Sequence, residues 1–195
     1  MATARSPHAD SRLPKVLDEA ARLFRTKGFE GTSVRDIARA VGMLPGSLYC
    51  HFETKEALLV AVYVKGVQQI TDAVRSAVDR RSDPWDRLEA ACVAHLDAIL
   101  DEDDYAQVVV RVRPADVPVV HASLIELRNQ YEALFAGLIR DLPLARSTDR
   151  GTLRLMLMGA LNWSQVWYRP GGRLNPRAIA RKFIALLRQG QEVTA

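Results

Sequence analysis

Apolar residues recur at intervals of three and four along this chain, and nowhere do they alternate with the period of two that a half-buried strand requires. That pattern confines the chain to an all-α fold in which each helix buries one stripe and leaves the rest polar. Val16, Leu17, Ala20, Leu23 and Phe24 form the first stripe. Leu58, Leu59, Val62, Val67, Ile70, Val74 and Val78 form a longer one over a proline-free stretch from Lys55 to about Arg80.

Capping chemistry marks where these helices begin and end. Ser11 is placed to cap the first, and Pro14 is tolerated there because first-turn N–H groups have no intrahelical acceptor. Gly28 is expected to end it in the left-handed conformation. Ser33, with Asp36 three residues on, makes a shortened capping box for a second helix over 34–40. Val41-Gly42-Met43 is a turn, and Pro45 suits the first position of a third helix reaching about His51. Thr54 restarts the chain into the long helix. Ser82-Asp83-Pro84 opens the next, to about Leu100. Asp101 to Asp104 form a polar junction before an apolar run at 108–112, and Pro114 and Pro118 bracket a break. Further helices are expected over 122–140 and 147–168, stopped by Pro170-Gly171-Gly172. Asn175 caps the last, with Pro176 in its first turn and Gly190 after its end.

Size and composition narrow the functional classes. A chain of 195 residues can hold a small module joined to a larger helical domain. Its longest strongly apolar stretch, around 153–161, is well short of the roughly 20 residues of a membrane span, and the polar first ten residues lack the apolar core of a secretory signal. Cys50 and Cys92 fall in separate helices without metal-ligand spacing, which suits reduced thiols in a cytoplasmic protein with no metal and no cofactor. His8, His51, His95 and His121 show no ligand spacing either. No H-E-x-x-H, G-x-S-x-G or glycine-rich phosphate loop is present, so nothing points to an enzyme. Asp101 to Asp104 read as a solvated helix junction rather than a cation site. The net charge of +4 permits a polyanionic partner but does not locate one, because residues 1–60 hold nine basic against seven acidic side chains and the rest of the chain carries a similar excess.

The two short helices joined by the turn at Gly42 have the form of a helix-turn-helix, whose second member enters the DNA major groove. Val34, Ile37, Ala38, Val41, Leu48 and Phe52 would pack a three-helix core. Pro45, Gly46, Ser47, Tyr49, Cys50 and His51 would then point outward. Gly46 allows close backbone approach, Ser47 can donate or accept at a base edge, and Tyr49 can reach a phosphate oxygen. Lys55, in the first turn of the long helix, opposes the sign that a helix N-terminus favours, which a nearby anion would explain. Arg5, His8 and Arg12 could form an arm onto DNA.

Phe29-Glu30-Gly31-Thr32-Ser33-Val34-Arg35-Asp36-Ile37-Ala38, then Gly46-Ser47-Leu48-Tyr49-Cys50-His51-Phe52 and Thr54-Lys55-Glu56-Ala57-Leu58, resemble the DNA-binding domain of the TetR family of transcriptional regulators. The resemblance implies a DNA-binding domain over residues 1–54 and a helical ligand-binding and dimerisation domain over 55–195. It implies that Ser33 and Arg35 touch the DNA backbone, that Tyr49, His51 and Lys55 bind phosphates, and that Pro45, Gly46, Ser47 and Cys50 face bases. Leu44 stands where the family often has a polar cap, and Pro45 where many members carry a polar or basic side chain. The reading face is correspondingly poor in groups for bidentate base recognition.

Beyond residue 60 the resemblance implies a dimer built through the last two helices. Leu157, Leu161, Ile179, Phe183 and Leu187 lie on stripes able to form a four-helix interface, and two-fold symmetry matches a palindromic operator. Trp163-Ser164-Gln165-Val166-Trp167-Tyr168-Arg169-Pro170-Gly171-Gly172, with Arg128 upstream, resembles TetR repressors of steroid-ring and fatty-acid breakdown, whose effectors are acyl-CoA thioesters. On that reading Trp163 and Trp167 wall an acyl group while Arg128 and Arg169, or Arg111 and Arg113, meet the anionic part. The same two tryptophans, four residues apart, could equally be helix packing. The chain is thus expected to be a repressor that binds an operator as a homodimer and leaves it on binding a small molecule. A helical adaptor or small-molecule-binding protein without DNA-binding activity is the competing reading.

Overall fold

The computed structural model describes residues 12–192. Ser11, expected as a cap, and Arg5 and His8, expected in a DNA arm, lie outside the described residues. Within them are nine α-helices and no strand: α1 Leu13–Lys27, α2 Val34–Val41, α3 Pro45–Tyr49, α4 Lys55–Val78, α5 Pro84–Leu100, α6 Asp104–Arg111, α7 His121–Arg140, α8 Arg150–Trp167 and α9 Pro176–Glu192. Two 3₁₀ turns, Pro114–Asp116 and Pro118–Val120, fill the break between α6 and α7.

Local chemistry explains most boundaries. Ser33 Oγ accepts from the backbone N–H of Asp36 at 3.1 Å while the Ser33 N–H donates to Asp36 Oδ2 at 3.1 Å, a reciprocal box despite the short acidic side chain. Asp83, Asp103 and Asp149 cap α5, α6 and α8 more simply, each carboxylate accepting from backbone N–H groups of the first turn. The acidic run therefore does more than separate helices, since Asp103 starts a helix that hydrophobic periodicity left unassigned. Gly28 has the expected positive φ of 77° but a ψ of 165°, so α1 leaves in an extended direction rather than through a left-handed cap. Gly42, at φ 69° and ψ 36°, is the left-handed cap. Gly190 does not end the last helix, which continues to Glu192.

Helix α4 threads two hydrophobic cores. Its first half buries Leu58, Leu59, Val62 and Tyr63 with α1 to α3 and with Tyr105, Val108, Val112, Val117 and Leu124. Its last turns bury Val74 and Val78 with Trp85, Leu88, Phe135, Leu161 and Ile179. By length and composition α4 would suffice to cross a membrane, which the sequence reading overlooked. Its apolar character has another use here, because α1, α5, α6 and α7 all pack on it. At Gly66 the backbone of α6 comes so close that a Cβ would lie 2.7 Å from the carbonyl oxygen of Tyr105.

Candidate nucleic-acid interface and ligand pocket

The three short N-terminal helices bury the core assigned to them: Val34, Ile37, Ala38, Val41 and Leu48 are buried, and Phe52 packs against them. Fixing Leu48 inward turns the rest of α3 outward. Gly46, Ser47, Tyr49 and Cys50 are exposed, Tyr49 by 48%, while Pro45 and His51 are half-buried. Cys50 Sγ donates to the Gly46 carbonyl at 3.4 Å. Arg35 is exposed on α2.

Two of the expected phosphate contacts have partners within the chain. Ser33 Oγ, besides capping α2, lies 2.6 Å from Asp36 Oδ2, and these bonds hold the Asp36 carboxyl below the usual range. Lys55 Nζ donates to the Phe29 carbonyl at 2.9 Å and sits 4.1 Å from the centre of the Phe29 ring. Glu30 is 3.9 Å away. Lys55 thus ties the start of α4 to the loop ahead of α2, and this intramolecular role accounts for a lysine in the first turn without invoking DNA.

A cavity of about 330 Å³ opens where α4 passes between the two cores. Val67 and Ile70 of α4 form one wall, and α5 to α8 supply the others, including His95, Ile99, Val109, Tyr131 and Met158. Arg113, Arg128, Glu132, Asn162 and Gln165 add polar groups. Arg128 Nε donates to the Tyr63 hydroxyl at 2.9 Å, which joins the cavity to the buried face of α4. Tyr63 in turn donates to the Val109 carbonyl at 3.3 Å, and burial raises its pKa. Arg113 forms a two-bond ion pair with Asp116, and Glu132 pairs with Arg154.

A second link lies between the cavity and the N-terminal helices. Lys65 donates to Asp18 at 3.0 Å and to the Tyr105 hydroxyl at 2.8 Å, and that hydroxyl donates to Asp18 at 2.7 Å. The Tyr105 bond, aided by Lys65, lowers the Asp18 pKa. Three helices, α1, α4 and α6, therefore share one polar knot beside a wall of the cavity.

Residues 16–62 match the bacterial regulatory proteins of the tetR family, and residues 81–191 match the tetracyclin repressor-like C-terminal domain. The chain belongs to the tetR family. The transcriptional repressor KstR2 of Mycobacterium tuberculosis is 31% identical over 190 residues, covering 93% of each chain. Among solved structures, the superantigen PfiT superposes with a TM-score of 0.77 at 31% identity, over 88% of this chain and 93% of that one. AibR in complex with isovaleryl coenzyme A and operator DNA superposes with a TM-score of 0.76 at 25% identity, over 90% of this chain and 97% of that one.

Of the residues expected to meet a ligand, the cavity of this tetR-family chain gathers Arg113 and Arg128. Trp163 and Trp167 are 64% and 43% exposed, and neither they nor Arg169 line it. Their neighbours Asn162 and Gln165, one step around α8, do. The five expected dimer residues lie on the inner faces of α8 and α9. Leu157, Leu161 and Ile179 are at most 2% exposed and lie in the chain's own core, with Phe183 and Leu187 packed against it. Phe183 and Leu187 are half-buried, so part of each remains on the surface. The large apolar side chains left exposed on these helices are Leu155, Met156, Trp163, Val166 and Trp167 on α8 and Leu186 on α9. Both faces of α8 are apolar, so periodicity could not say which one turns inward. His95 and Tyr131 were missed because a lone histidine and a lone tyrosine on separate helices leave no pattern in the sequence.

Proposed function

We propose that this tetR-family chain is a transcriptional repressor that binds a palindromic operator as a homodimer and is released from it by an acyl-CoA thioester. The observation that carries the reading is the cavity between the two cores, which combines apolar walls with Arg113 and Arg128 and adjoins the helix leading to the DNA-binding helices. The likeness to AibR, solved with isovaleryl coenzyme A and operator DNA, supports the same choice of ligand class. A cavity of this size takes an acyl group and its thioester, while the nucleotide of coenzyme A must remain outside it.

The DNA-binding unit in this proposal is residues 1–54. Ser33, Arg35, Tyr49, His51 and Lys55 bear on the phosphate backbone, and Pro45, Gly46, Ser47 and Cys50 face bases. Residues 55–195 bind effector and partner, and action on chromosomal DNA puts the protein in the cytoplasm. The homodimer uses the open face of α8 and α9, and the two subunits present their α3 helices to the two half-sites. Ligand acts by favouring an arrangement of α4 that cannot span those half-sites.

An operator-binding titration by fluorescence anisotropy tests the proposal, using the protein's own upstream region and a panel of short, long and ring-containing acyl-CoAs beside their free acids. One or more thioesters should dissociate the complex, with free acids and coenzyme A alone far weaker. If no thioester shifts the curve, the effector class is wrong while the repressor reading stands. If the upstream region is not bound at all, the repressor reading fails.

A further inference from the structure

Leu44 stands apart from the other large apolar side chains of the N-terminal helices. Leu23, Phe24, Ile37, Val41 and Leu48 are buried there, whereas Leu44 is 76% exposed. Among the described residues ahead of α4, Tyr49 is the only other large apolar side chain left exposed. Nor does Leu44 serve the helix it precedes. It holds the cap position of α3 in extended backbone, at φ −73° and ψ 139°, and its side chain makes no capping bond. Ser33, Thr54, Asp83, Asp103 and Asp149 occupy the same position before α2, α4, α5, α6 and α8, and each accepts a backbone N–H there. A leucine in that place gives up both burial and a cap.

Its backbone is nevertheless fixed relative to α3. The Leu44 carbonyl accepts from the backbone N–H groups of Ser47 at 3.0 Å and Leu48 at 3.3 Å, and the following Pro45 confines Leu44 to extended backbone. Leu48 is wholly buried, so these bonds anchor Leu44 to the three-helix core while its side chain stays outside. The rest of α3 offers little that tells one base from another. No residue from Leu44 to Cys50 carries a charged or amide side chain. The Cys50 thiol donates to the Gly46 carbonyl, which leaves Ser47 as the hydrogen-bonding side chain aimed at bases, and a hydroxyl, donor and acceptor at once, discriminates poorly. A Cβ at Gly46 would meet nothing within 4 Å, so no neighbouring side chain obstructs the approach of a base edge there.

We propose that Leu44 reads the C5-methyl group of a thymine in the major groove, one such thymine in each half-site of the operator. This rests on α3 entering the groove, as in the function proposed above. The leading residues of a recognition helix are the ones that reach base edges, and the thymine methyl is the apolar feature of the major-groove code. Contact between that methyl and the leucine side chain removes both from water, which a polar cap at this position would not match. Leu44 is on this account a specificity-determining residue: phosphate contacts by Arg35 and Tyr49 set the register, and Leu44 favours thymine at the base pair it meets.

The test exchanges single thymines for deoxyuridine, which removes the methyl group and keeps every hydrogen-bonding group of the base. The full chain is footprinted on its own upstream region, and each thymine inside the protected sequence is exchanged in turn. Affinity is then read by fluorescence anisotropy for wild type, Leu44→Ala and Leu44→Ser. One pair of thymines related by the two-fold axis should stand out, each exchange weakening wild-type binding about three- to fivefold. Both variants should bind the thymine and deoxyuridine duplexes alike. Leu44→Ser also supplies the missing cap, so its loss of discrimination would not come from a weakened α3. Wild-type affinity indifferent to every exchange, or a thymine preference that persists in both variants, overturns the proposal. If an operator is protected and no exchange matters, the repressor reading stands and the inference about Leu44 falls; if no sequence is protected, both fail.

Discussion

His95 shows how burying a single side chain makes stability depend on pH. Burial holds its pKa at about 4 against an ordinary 6.5. Between those values the unfolded chain binds a proton that the folded chain refuses, so stability is fully present above about pH 6.5 and falls as pH drops toward 4. The loss reaches about 3 kcal/mol at the bottom of that window. Thermal melts at pH 7, 5.5 and 4.5 should therefore show a steep decline for wild type and a shallower one for His95→Gln; parallel curves would assign acid sensitivity to other groups. Tyr49 and Lys55 make a contrasting pair. Tyr49 is exposed, so Tyr49→Phe should weaken binding to every DNA sequence while leaving the melting temperature unchanged. Lys55 is tied to Phe29, so Lys55→Ala should lower the melting temperature as well as reduce the salt dependence of DNA binding by about one unit of slope. A lower melting temperature with an unaltered slope would make Lys55 an internal strut alone.

Helix α8 carries two apolar faces, one buried and one exposed. Leu157, Leu161 and Ser164 turn into the subunit, whereas Met156, Trp163 and Val166 turn out. Trp163→Glu should thus yield a folded subunit of half the wild-type mass by light scattering, with operator binding lost because the two reading helices are no longer linked. Leu161→Glu buries an unpaired charge in the core, at a cost of several kcal/mol, and should unfold the protein. A Trp163→Glu protein of unchanged mass would move the interface elsewhere. Helix α6 has an unusual position for an eight-residue element. It touches α1 through Asp104 and Arg25, touches α4 at Gly66, and lines the cavity with Val109 and Val110. Displacement of this one short helix reaches both ends of the proposed switch.

Across the whole molecule, the path from cavity to DNA-binding helices is short and covalently simple. Arg128 bonds Tyr63, Tyr63 packs in the core of the N-terminal helices, and the Lys65, Asp18 and Tyr105 knot fastens α1 to α4 and α6. An anionic ligand that draws the Arg128 guanidinium away from Tyr63 would loosen this connection. Arg128→Ala should then blunt release of operator by a thioester, and because the Tyr63 bond is lost even without ligand, it should also shift operator affinity modestly. Anisotropy titrations with and without thioester separate the two effects. Full release at wild-type concentrations of thioester would take Arg128 out of both.

Much of this arrangement is written in short stretches of sequence. Ser33 with Asp36, Gly42, Pro45 and the apolar spacing of Val34, Ile37, Val41 and Leu48 define the helix-turn-helix, because capping and one-sided burial are decided within a few residues of each other. Once Leu48 must be inside, Ser47, Tyr49 and Cys50 must be outside. The lining of the cavity and the inward face of α8 obey no such local rule. Which of two apolar faces of α8 turns inward depends on where α5 and α7 lie, and that is settled by packing among helices far apart in the chain. The same packing brought His95, Tyr131 and Arg128 to one cavity and left Trp163 and Trp167 on the surface. Side chains whose partners are dozens of residues away acquire a role only when the tertiary fold supplies those partners.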